Sequence, residues 1–426
     1  MNDRYGLPLS TATEQAAHAY LWAADRLLAA GAGLIEGFDS ALALDPGFAL
    51  AEIGRARCLA TYGRAAEARD SAARARALVS GATRRERGHV EALALSVEGR
   101  GAESLAAIRA HLAEFPRDAL VLHPAVGIFG LIGFSGRLDR EAELLAMLDD
   151  LAPHYGDDWW FASAHAFAEC EAGRLAEAER RVERALAAAP HNANAAHVRA
   201  HVFYELGQAP QAAEFLRAWL HEYSPLGLLR GHLSWHLALV EFGLGNAGAA
   251  WALYEREIRA PLDGAGSPTP PLNVLTDGVS WLWRAQLRGE AARECDWRAL
   301  AAFASERFPR AGVVFGDVHA ALAHACVRDS SAIERLCNEL AQLSAERPAC
   351  GTAQRFAAAF AAYAANDWGR AADLFGEEHE ACVRVGGSKA QRELIDRSLL
   401  SALRQAGRDE QLKALLARRP HLAAGV

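Results

Sequence analysis

Lysine is almost absent from this chain of 426 residues, and its scarcity excludes several kinds of chemistry. Only Lys389 and Lys413 are present, and arginine carries the remaining positive charge. A Schiff-base enzyme would depend on one of these two lysines. No GxxxxGK(S/T) motif occurs, which excludes a P-loop. No GxGxxG follows a strand, because no alternating strand pattern appears anywhere.

Other absences narrow the class of protein. The seven cysteines form no CxxC pair, so we expect scattered thiols in a reducing cytoplasm. The formal net charge is −8, and no basic stretch could follow a phosphate backbone. The first residues lack the apolar core of a signal peptide, and the longest apolar run, residues 125–134, is too short to span a bilayer. We therefore expect a cytoplasmic protein with neither nucleic-acid nor membrane partners.

Glycine and alanine recur at fixed spacing. The recurring glycines, 34 to 38 residues apart, are Gly63, Gly99, Gly136, Gly173, Gly207 and Gly245. Alanines stand seven residues before five of them and five residues after four of them. This is the tetratricopeptide pattern, in which each unit is a pair of antiparallel helices with small residues where they cross. The sequence predicts an all-α fold: a tetratricopeptide-like α-solenoid, a right-handed superhelix of helical hairpins with a pocket on its concave face.

The predicted solenoid has three parts. Residues 1–260 carry N-terminal repeats without interruption, and residues 278–426 continue the same superhelix with poorer consensus. Between them, residues 261–277 are rich in proline and glycine, which predicts a loop. We expect part of this loop to pack over the concave face. The next helix should begin near Asp277, which is a good N-cap residue.

The first helix of each unit should line the concave surface. Its inward positions lie 13, 10, 6, 3 and 2 residues before the glycine, one stripe at helical periodicity. This stripe contains five of the 16 histidines. Its polar and aromatic members are His89, His123, Trp160, His197, His201, Tyr204, Glu205, His232 and Trp235.

Two HxxxH pairs, His197/His201 and His232/His236, lie on successive first helices and should be neighbours in space. Histidines at i and i+4 share a helix face and can chelate a metal, yet no acidic third ligand stands at HExxH-like spacing. A wet groove lined by polar residues and an organic-ligand site are the favoured alternatives, so no metal ligand is assigned. The candidate catalytic residues are His201, His232, His236 and Glu205.

A second group of residues is assigned to substrate binding. We expect Trp281 and Trp283, two positions apart, to divide between core and groove. Arg284 is either an anion clamp or a structural partner of an acid such as Asp277. The candidate substrate-binding residues are His123, Trp160, His197, Trp235, Asp277, Trp283, Arg284 and His319.

Ordered motifs over essentially the whole chain resemble tetratricopeptide repeat protein 38 and its bacterial relatives. The motifs are His197-x3-His201-x3-Glu205, His232-Leu-x-Trp-His236-x-Ala238-Leu239, Asp277-x2-Ser280-x-Leu282-Trp283-Arg284, Phe315-x-Asp317-x-His319-Ala320 and Gly386-Gly-Ser388-x-Ala390-Gln391-Arg392. Trp281 and Lys389 depart from that pattern, where a leucine and a histidine are expected. The resemblance implies a tetratricopeptide-like fold with these residues clustered, and it implies no settled reaction.

Two functions follow from these patterns. The leading hypothesis is a small polar or anionic molecule bound in a concave pocket lined by His, Trp and Arg, with acid–base catalysis by histidine left open and no cofactor identified. The alternative is a non-catalytic scaffold that binds a protein or peptide segment in the groove. A closed pocket favours the first and an open trough favours the second.

Overall fold

The computed structural model describes residues 1–262, 269–291, 293–419 and 422, and this part of the chain is helical throughout. It contains no strand, only one isolated bridge between Asn2 and Pro8. No helix within these ranges combines the length and apolarity that crossing a bilayer requires. The helices are α1 Glu14–Leu28, α2 Leu34–Leu44, α3 Ala49–Thr61, α4 Ala65–Leu78, α5 Arg84–Val97, α6 Gly101–Glu114, α7 Ala119–Leu122, α8 Arg140–Tyr155, α9 Trp159–Glu171, α10 Leu175–Ala188, α11 Ala193–Glu205, α12 Ala209–Glu222, α13 Arg230–Gly243, α14 Ala247–Leu253, α15 Pro271–Leu287, α16 Glu294–Arg307, α17 Val314–Cys326, α18 Ser330–Ser344, α19 Pro348–Ala364, α20 Trp368–Glu377, α21 Lys389–Gln405 and α22 Asp409–Arg418.

The recurring glycines are the turns between paired helices, as predicted. Gly63, between α3 and α4, has a φ of +74°, a left-handed conformation that glycine adopts without steric cost. The amide of Gly63 donates to Ala60 O, and that of Arg64 donates to Leu59 O. These two bonds form a Schellman motif, which closes the C-terminus of α3. The other five glycines also have positive φ.

The recurring alanines pack where paired helices cross. Ala56 on α3 and Ala68 on α4 are both fully buried. Ser71 Oγ on α4 donates to Glu52 O on α3 at 3.1 Å, so the two backbones approach closely. Side chains larger than alanine would push such helices apart, because protein interiors are already close-packed. The helical hairpins confirm the predicted all-α, tetratricopeptide-like solenoid, whereas the pocket on its concave face stays a prediction.

The sequence predicted repeats without interruption to residue 260, but in the structure they are interrupted between α6 and α8. The helix expected before Gly136 is replaced by the one-turn helix α7 and a series of turns through residue 138. Pro124 lacks an amide proton, and Gly127 has a φ of +83°, so neither continues a helix. His123 consequently lies at the C-terminal end of α7 rather than in the middle of a long helix.

The predicted loop at residues 261–277 is shorter than expected. Helix α15 begins at Pro271, and proline is favoured in the first turn because its missing amide proton would have had no partner there. Asp277 therefore lies within α15 and is not its N-cap. Residues 263–268 lie outside the described part of the chain, so the expectation that the loop covers the concave face stays a prediction. The division of the chain at 260 and 278 also stays one.

The superhelix closes on itself at two places. The amide of Ala193, at the start of α11, donates to Ala29 O at 3.0 Å, and Asn194 Nδ2 donates to Leu28 O at 2.8 Å. On the other side, Arg140 donates to Gly133 O at 2.8 Å and to Gly387 O at 2.6 Å. All of these contacts except Arg140–Gly133 join residues more than 160 positions apart. Most residues of the predicted concave stripe are buried, among them His89, His201, His232 and Trp235.

Candidate functional site

The two HxxxH pairs meet inside this closed superhelix. His197 and His201 come from α11, and His232 and His236 come from α13, one helical turn apart in each pair. His197 Nε2 lies 3.0 Å from His201 Nε2 and 3.1 Å from His232 Nε2. The ring centroids of His201 and His236 are 4.7 Å apart. The prediction that these pairs are spatial neighbours is confirmed, and we call these four residues the histidine cluster.

Asp277 orients one member of this cluster. His232 Nδ1 donates to both carboxylate oxygens of Asp277, at 3.0 and 2.9 Å, and both residues are 3 % exposed. Because Nδ1 carries the proton in this bond, a neutral His232 presents a lone pair at Nε2 toward the cluster. The Trp235 ring stacks on His232 at 5.4 Å between centroids.

Three imidazoles of the cluster, those of His197, His201 and His236, are held in the neutral form. Burial, and after it the neighbouring His232, lower the pKa of His201 to about 3. Burial, together with other cluster histidines, also holds the pKa of His197 and of His236 well below the ordinary value. His201 Nδ1 and His236 Nε2 are buried and make no hydrogen bond within the described residues. Neutral nitrogens of this kind are competent as metal ligands or hydrogen-bond partners.

Three of the four histidines have the spacing of a metal site. One ring nitrogen each from His197, His201 and His236 lie within 4.8 Å of one another. The sequence pattern had raised chelation by the HxxxH pairs without assigning a metal ligand. The tertiary structure adds His236, the residue on α13 that completes a group of three.

A second polar group lies on the same interior stripe at α3. The Arg57 guanidinium donates to Ser96 Oγ at 3.2 Å, and within the described ranges no carboxylate lies at ion-pair distance from it. Burial lowers the pKa of Arg57, and the charge of Arg57 together with burial lowers the pKa of His123 to about 3. Both side chains nevertheless stay partly accessible to water. An accessible, desolvated guanidinium without a counter-ion is suited to bind an anion.

Arg57 was not among the predicted site residues, although the sequence contained the signal. It stands six residues before Gly63, at one of the five inward offsets of the stripe. His123 and Trp160, which were predicted, lie beside each other with ring centroids 6.2 Å apart. The Arg57, Ser96, His123 and Trp160 side chains are called the arginine site below.

Helix α9 connects the arginine site with the histidine cluster. Trp160 and Phe167 are seven residues apart, so they lie on one face of the helix, separated by about 10 Å along its axis. Trp160 packs near His123, whereas Phe167 stacks on His197 at 5.8 Å between ring centroids. The two groups are thus opposite ends of one interior surface.

Arg284 pairs with an acid, as the second of its two predicted roles requires, but that acid is not Asp277. Its Nη1 donates to Glu393 Oε2 at 2.8 Å, and its Nη2 donates to Ala390 O at 2.5 Å. It is therefore an interior structural arginine on α15 that is bound to α21, and its acidic partner is Glu393 rather than Asp277. Sequence spacing could not identify a partner 109 residues away.

The two tryptophans of α15 are both buried, in contrast to the expected division between core and groove. Trp281 packs against Phe242 and Trp251, at 5.3 and 5.5 Å between ring centroids. Trp283 Nε1 donates to Ser398 Oγ at 2.8 Å, and its ring packs edge-on against Phe360. Both rings therefore fill the hydrophobic core.

The structure shows the surroundings of three further residues, His319, Glu205 and Ser388. His319 Nδ1 donates to Phe315 O at 2.7 Å, and burial lowers the pKa of His319 to about 4. Glu205 ends α11 partly exposed, and its charge helps to raise the pKa of the buried Cys170 thiol, which makes that thiol a poor nucleophile. Ser388 caps α21 in a capping box with Gln391, so the glycine pair before it is a helix-capping turn.

Comparison with known proteins identifies the repeat. The tetratricopeptide repeat family model matches residues 170–224, which span the end of α9 through α12. Residues 170–224 therefore resemble tetratricopeptide repeats, which are typical of protein-interaction scaffolds. Nothing in the comparisons points to a small-molecule ligand or to catalysis.

Solved structures with similar helical repeats resemble the chain only distantly. The anaphase-promoting complex hetero-tetramer Cut9-Hcn1 shares 15 % identity over 92 % of this chain and 78 % of that chain, with a TM-score of 0.39. The type IV pilus biogenesis factor PilW shares 17 % identity over 60 % of this chain and 98 % of that chain, with a TM-score of 0.27.

Proposed function

We propose that this tetratricopeptide-repeat protein binds a small anionic molecule in the interior of its closed superhelix. The observation that carries the proposal is Arg57, a desolvated guanidinium with no carboxylate partner in the described ranges, beside a neutral His123. Charge in such an environment is costly unless it is paired. An anionic ligand would supply the missing counter-ion.

The rest of the interior surface fits a ligand that has an apolar part. Trp160 and Phe167 provide aromatic faces between the arginine site and the histidine cluster. His123 makes no hydrogen bond within the described residues, so its ring is available to a ligand. His232, oriented by Asp277, would stand at the far end of this surface as a hydrogen-bond acceptor or general base.

Binding of a panel of small organic anions to the purified protein tests this proposal. Native mass spectrometry of the protein as isolated identifies any bound small molecule, and isothermal titration measures its affinity. We expect Arg57→Met to lose the ligand while keeping most of the side-chain volume. Arg55→Met is the matched control, because Arg55 lies on the same helix and pairs with Asp39 at the surface. Equal affinity for wild type and Arg57→Met would refute the arginine site.

A protein-interaction scaffold is the second candidate, and the repeat match at residues 170–224 favours it. The comparisons support this candidate better than they support a small ligand, whereas the interior geometry supports the small ligand. Trp160, His201, His232 and Trp235 on the concave stripe are each less than 4 % exposed, so a partner segment could not reach them without opening the superhelix. A protein segment that binds wild type and Arg57→Met equally, with no small anion bound to either, would make the scaffold the better account.

The ordered motifs support a proposal about the family of the chain, and its cysteines support one about its location. We propose membership of the tetratricopeptide repeat protein 38 family, supported by the ordered motifs that include His197, His232 and Asp277. We also propose a cytoplasmic location, in keeping with the unpaired cysteines of the described ranges. Detection of the tagged protein in cell fractions tests the location.

A further inference from the structure

We infer that His197, His201 and His236 form a binding site for a single divalent transition-metal ion, with Zn²⁺ as the reference ion. This inference goes beyond the binding of a small anion and does not depend on it, because the three ligands belong to the chain itself. The three side chains come from two neighbouring helices, α11 and α13, whose backbones are fixed by hairpin packing. Sites on rigid helices hold their ligands with little rearrangement.

The distances between nitrogens agree with a metal site. Two nitrogens bound to tetrahedral Zn²⁺ at about 2.0–2.1 Å lie about 3.3–3.4 Å apart. His197 Nε2 and His201 Nε2 are 3.0 Å apart, and one nitrogen from each of the three histidines lies within 4.8 Å of the others. Small side-chain rotations would therefore bring all three onto one ion.

Hydrogen bonding alone does not account for this arrangement. A ring nitrogen has one in-plane position, which holds either a proton or a lone pair. His197 Nε2 nevertheless faces two other nitrogens, His201 Nε2 and His232 Nε2, at 3.0 and 3.1 Å. It can form one linear hydrogen bond and leaves the second contact unsatisfied. A cation between the rings would instead accept a lone pair from each ligand.

A buried nitrogen without a partner gives an independent indication. His236 Nε2 makes no hydrogen bond within the described residues, and this side chain is 4 % exposed. Buried polar atoms are rarely left unsatisfied unless a water or an ion completes them. Neutral imidazoles prefer zinc, copper, nickel or iron over magnesium and calcium, because the latter require oxygen ligands.

His232 and Asp277 flank the three ligands and have a different role. His232 Nε2 lies 3.1 Å from His197 Nε2, while its Nδ1 proton is held by Asp277. When His197 Nε2 binds the ion it carries no proton for His232, so we assign His232 as the residue whose Nε2 lone pair faces the remaining coordination position. Three protein ligands with an open fourth position are typical of catalytic rather than structural zinc sites.

Metal binding by the full-length protein tests the inference directly. The protein is stripped with a chelator, dialysed and titrated with Zn²⁺ and with Co²⁺, whose visible absorption reports coordination by nitrogen. We expect one ion per chain for wild type and for His191→Ala, an exposed histidine just before α11. His197→Ala, His201→Ala and His236→Ala should each abolish stoichiometric binding. His232→Ala should keep the stoichiometry and lose about 10–100-fold in affinity, as outer-shell substitutions do.

Two results would refute the metal site. Wild-type protein without saturable Zn²⁺ or Co²⁺ binding refutes it, and this measurement requires no variant to fold. Retention of the full stoichiometry by His236→Gln, a milder substitution than alanine, also refutes it. Arg57→Met separates the two proposals, because it should bind metal like wild type even if it binds no organic anion.

Discussion

The Asp277 carboxylate on α15 accepts the Nδ1 proton of His232 on α13 at 2.9 Å, across 45 residues of sequence. The pair joins two helices and fixes the ring whose other nitrogen faces the histidine cluster. Asp277 stands where the sequence predicted a helix N-cap. In the folded protein it is instead the outer partner of an interior histidine.

Removing either member of this pair should destabilise the protein, and the two losses should not add. His232→Ala leaves a buried carboxylate without its donor, and Asp277→Ala leaves the imidazole without its acceptor. We expect a coupling free energy of about 1–3 kcal/mol in a double-mutant cycle measured by chemical denaturation. A double-mutant cycle between Asp277 and the exposed His191 should give no coupling free energy. A coupling near zero for the first cycle would mean that the pair does not form.

Removing the unpaired guanidinium of Arg57 should stabilise the protein. Arg57→Met keeps the aliphatic volume and removes a desolvated charge, so we expect the free energy of unfolding to rise by about 1–3 kcal/mol without ligand. Arg55→Met removes only a surface ion pair with Asp39 and should change it by less than about 1 kcal/mol. Thermal melts of both variants measure the difference. A less stable Arg57→Met would indicate that the arginine already has a counter-charge.

Glu171 accepts a hydrogen bond from the Lys389 amide, close to the contact between Arg140 and Gly387. It should make the stability of the fold depend on pH. Burial and the nearby Glu141 raise the pKa of Glu171 to about 7 from its ordinary 4.5, although the Arg392 and Arg140 charges and the amide of Lys389 oppose this. Because the folded pKa is the higher one, the contribution of Glu171 is complete below about pH 4.5 and is lost as pH rises through about 7. Glu171→Gln should therefore gain stability relative to wild type as pH rises.

Comparing wild type with Glu171→Gln separates the effect of Glu171 on stability from the effect of the interior histidines. Their depressed pKa values have the opposite effect, since that stability is lost as pH falls below 6.5. Both proteins contain the same histidines, so the effect cancels in the difference between their melting temperatures. A difference that stays constant between about pH 5 and pH 8 would contradict the raised pKa.

Substituting the turn glycines should separate backbone strain from steric contact. Gly99→Ala forces alanine to a φ of +78° with no neighbouring atom near the new Cβ, which should cost about 1–2 kcal/mol. A Cβ at Gly63 would also lie 3.1 Å from Pro271 Cγ on α15, so Gly63→Ala should cost more. Equal costs in chemical denaturation would mean that the contact between these distant segments relaxes freely.

The sequence predicted the hairpins and one part of the site from local periodicity. Gly63 and its counterparts mark the turns, and the alanines around them mark the helix crossings, because both depend on residues within one unit. The approach of His197 and His232 was also predictable. It requires only that successive first helices stack in register, which repeats of similar length, 34 to 38 residues, favour.

Other features depend on where the superhelix closes, which no local spacing encodes. Arg284 pairs with Glu393 on α21, and Arg140 donates to Gly387, because segments more than 100 residues apart come together. The sequence placed Arg57 on the inward stripe of α3. Whether a carboxylate lies near Arg57 depends on all the segments that pack around it, so the sequence spacing could not show it. Local periodicity determines which face of a helix a residue occupies. The partner that meets that face is determined by the summed curvature of many repeats, and only the tertiary structure contains that sum.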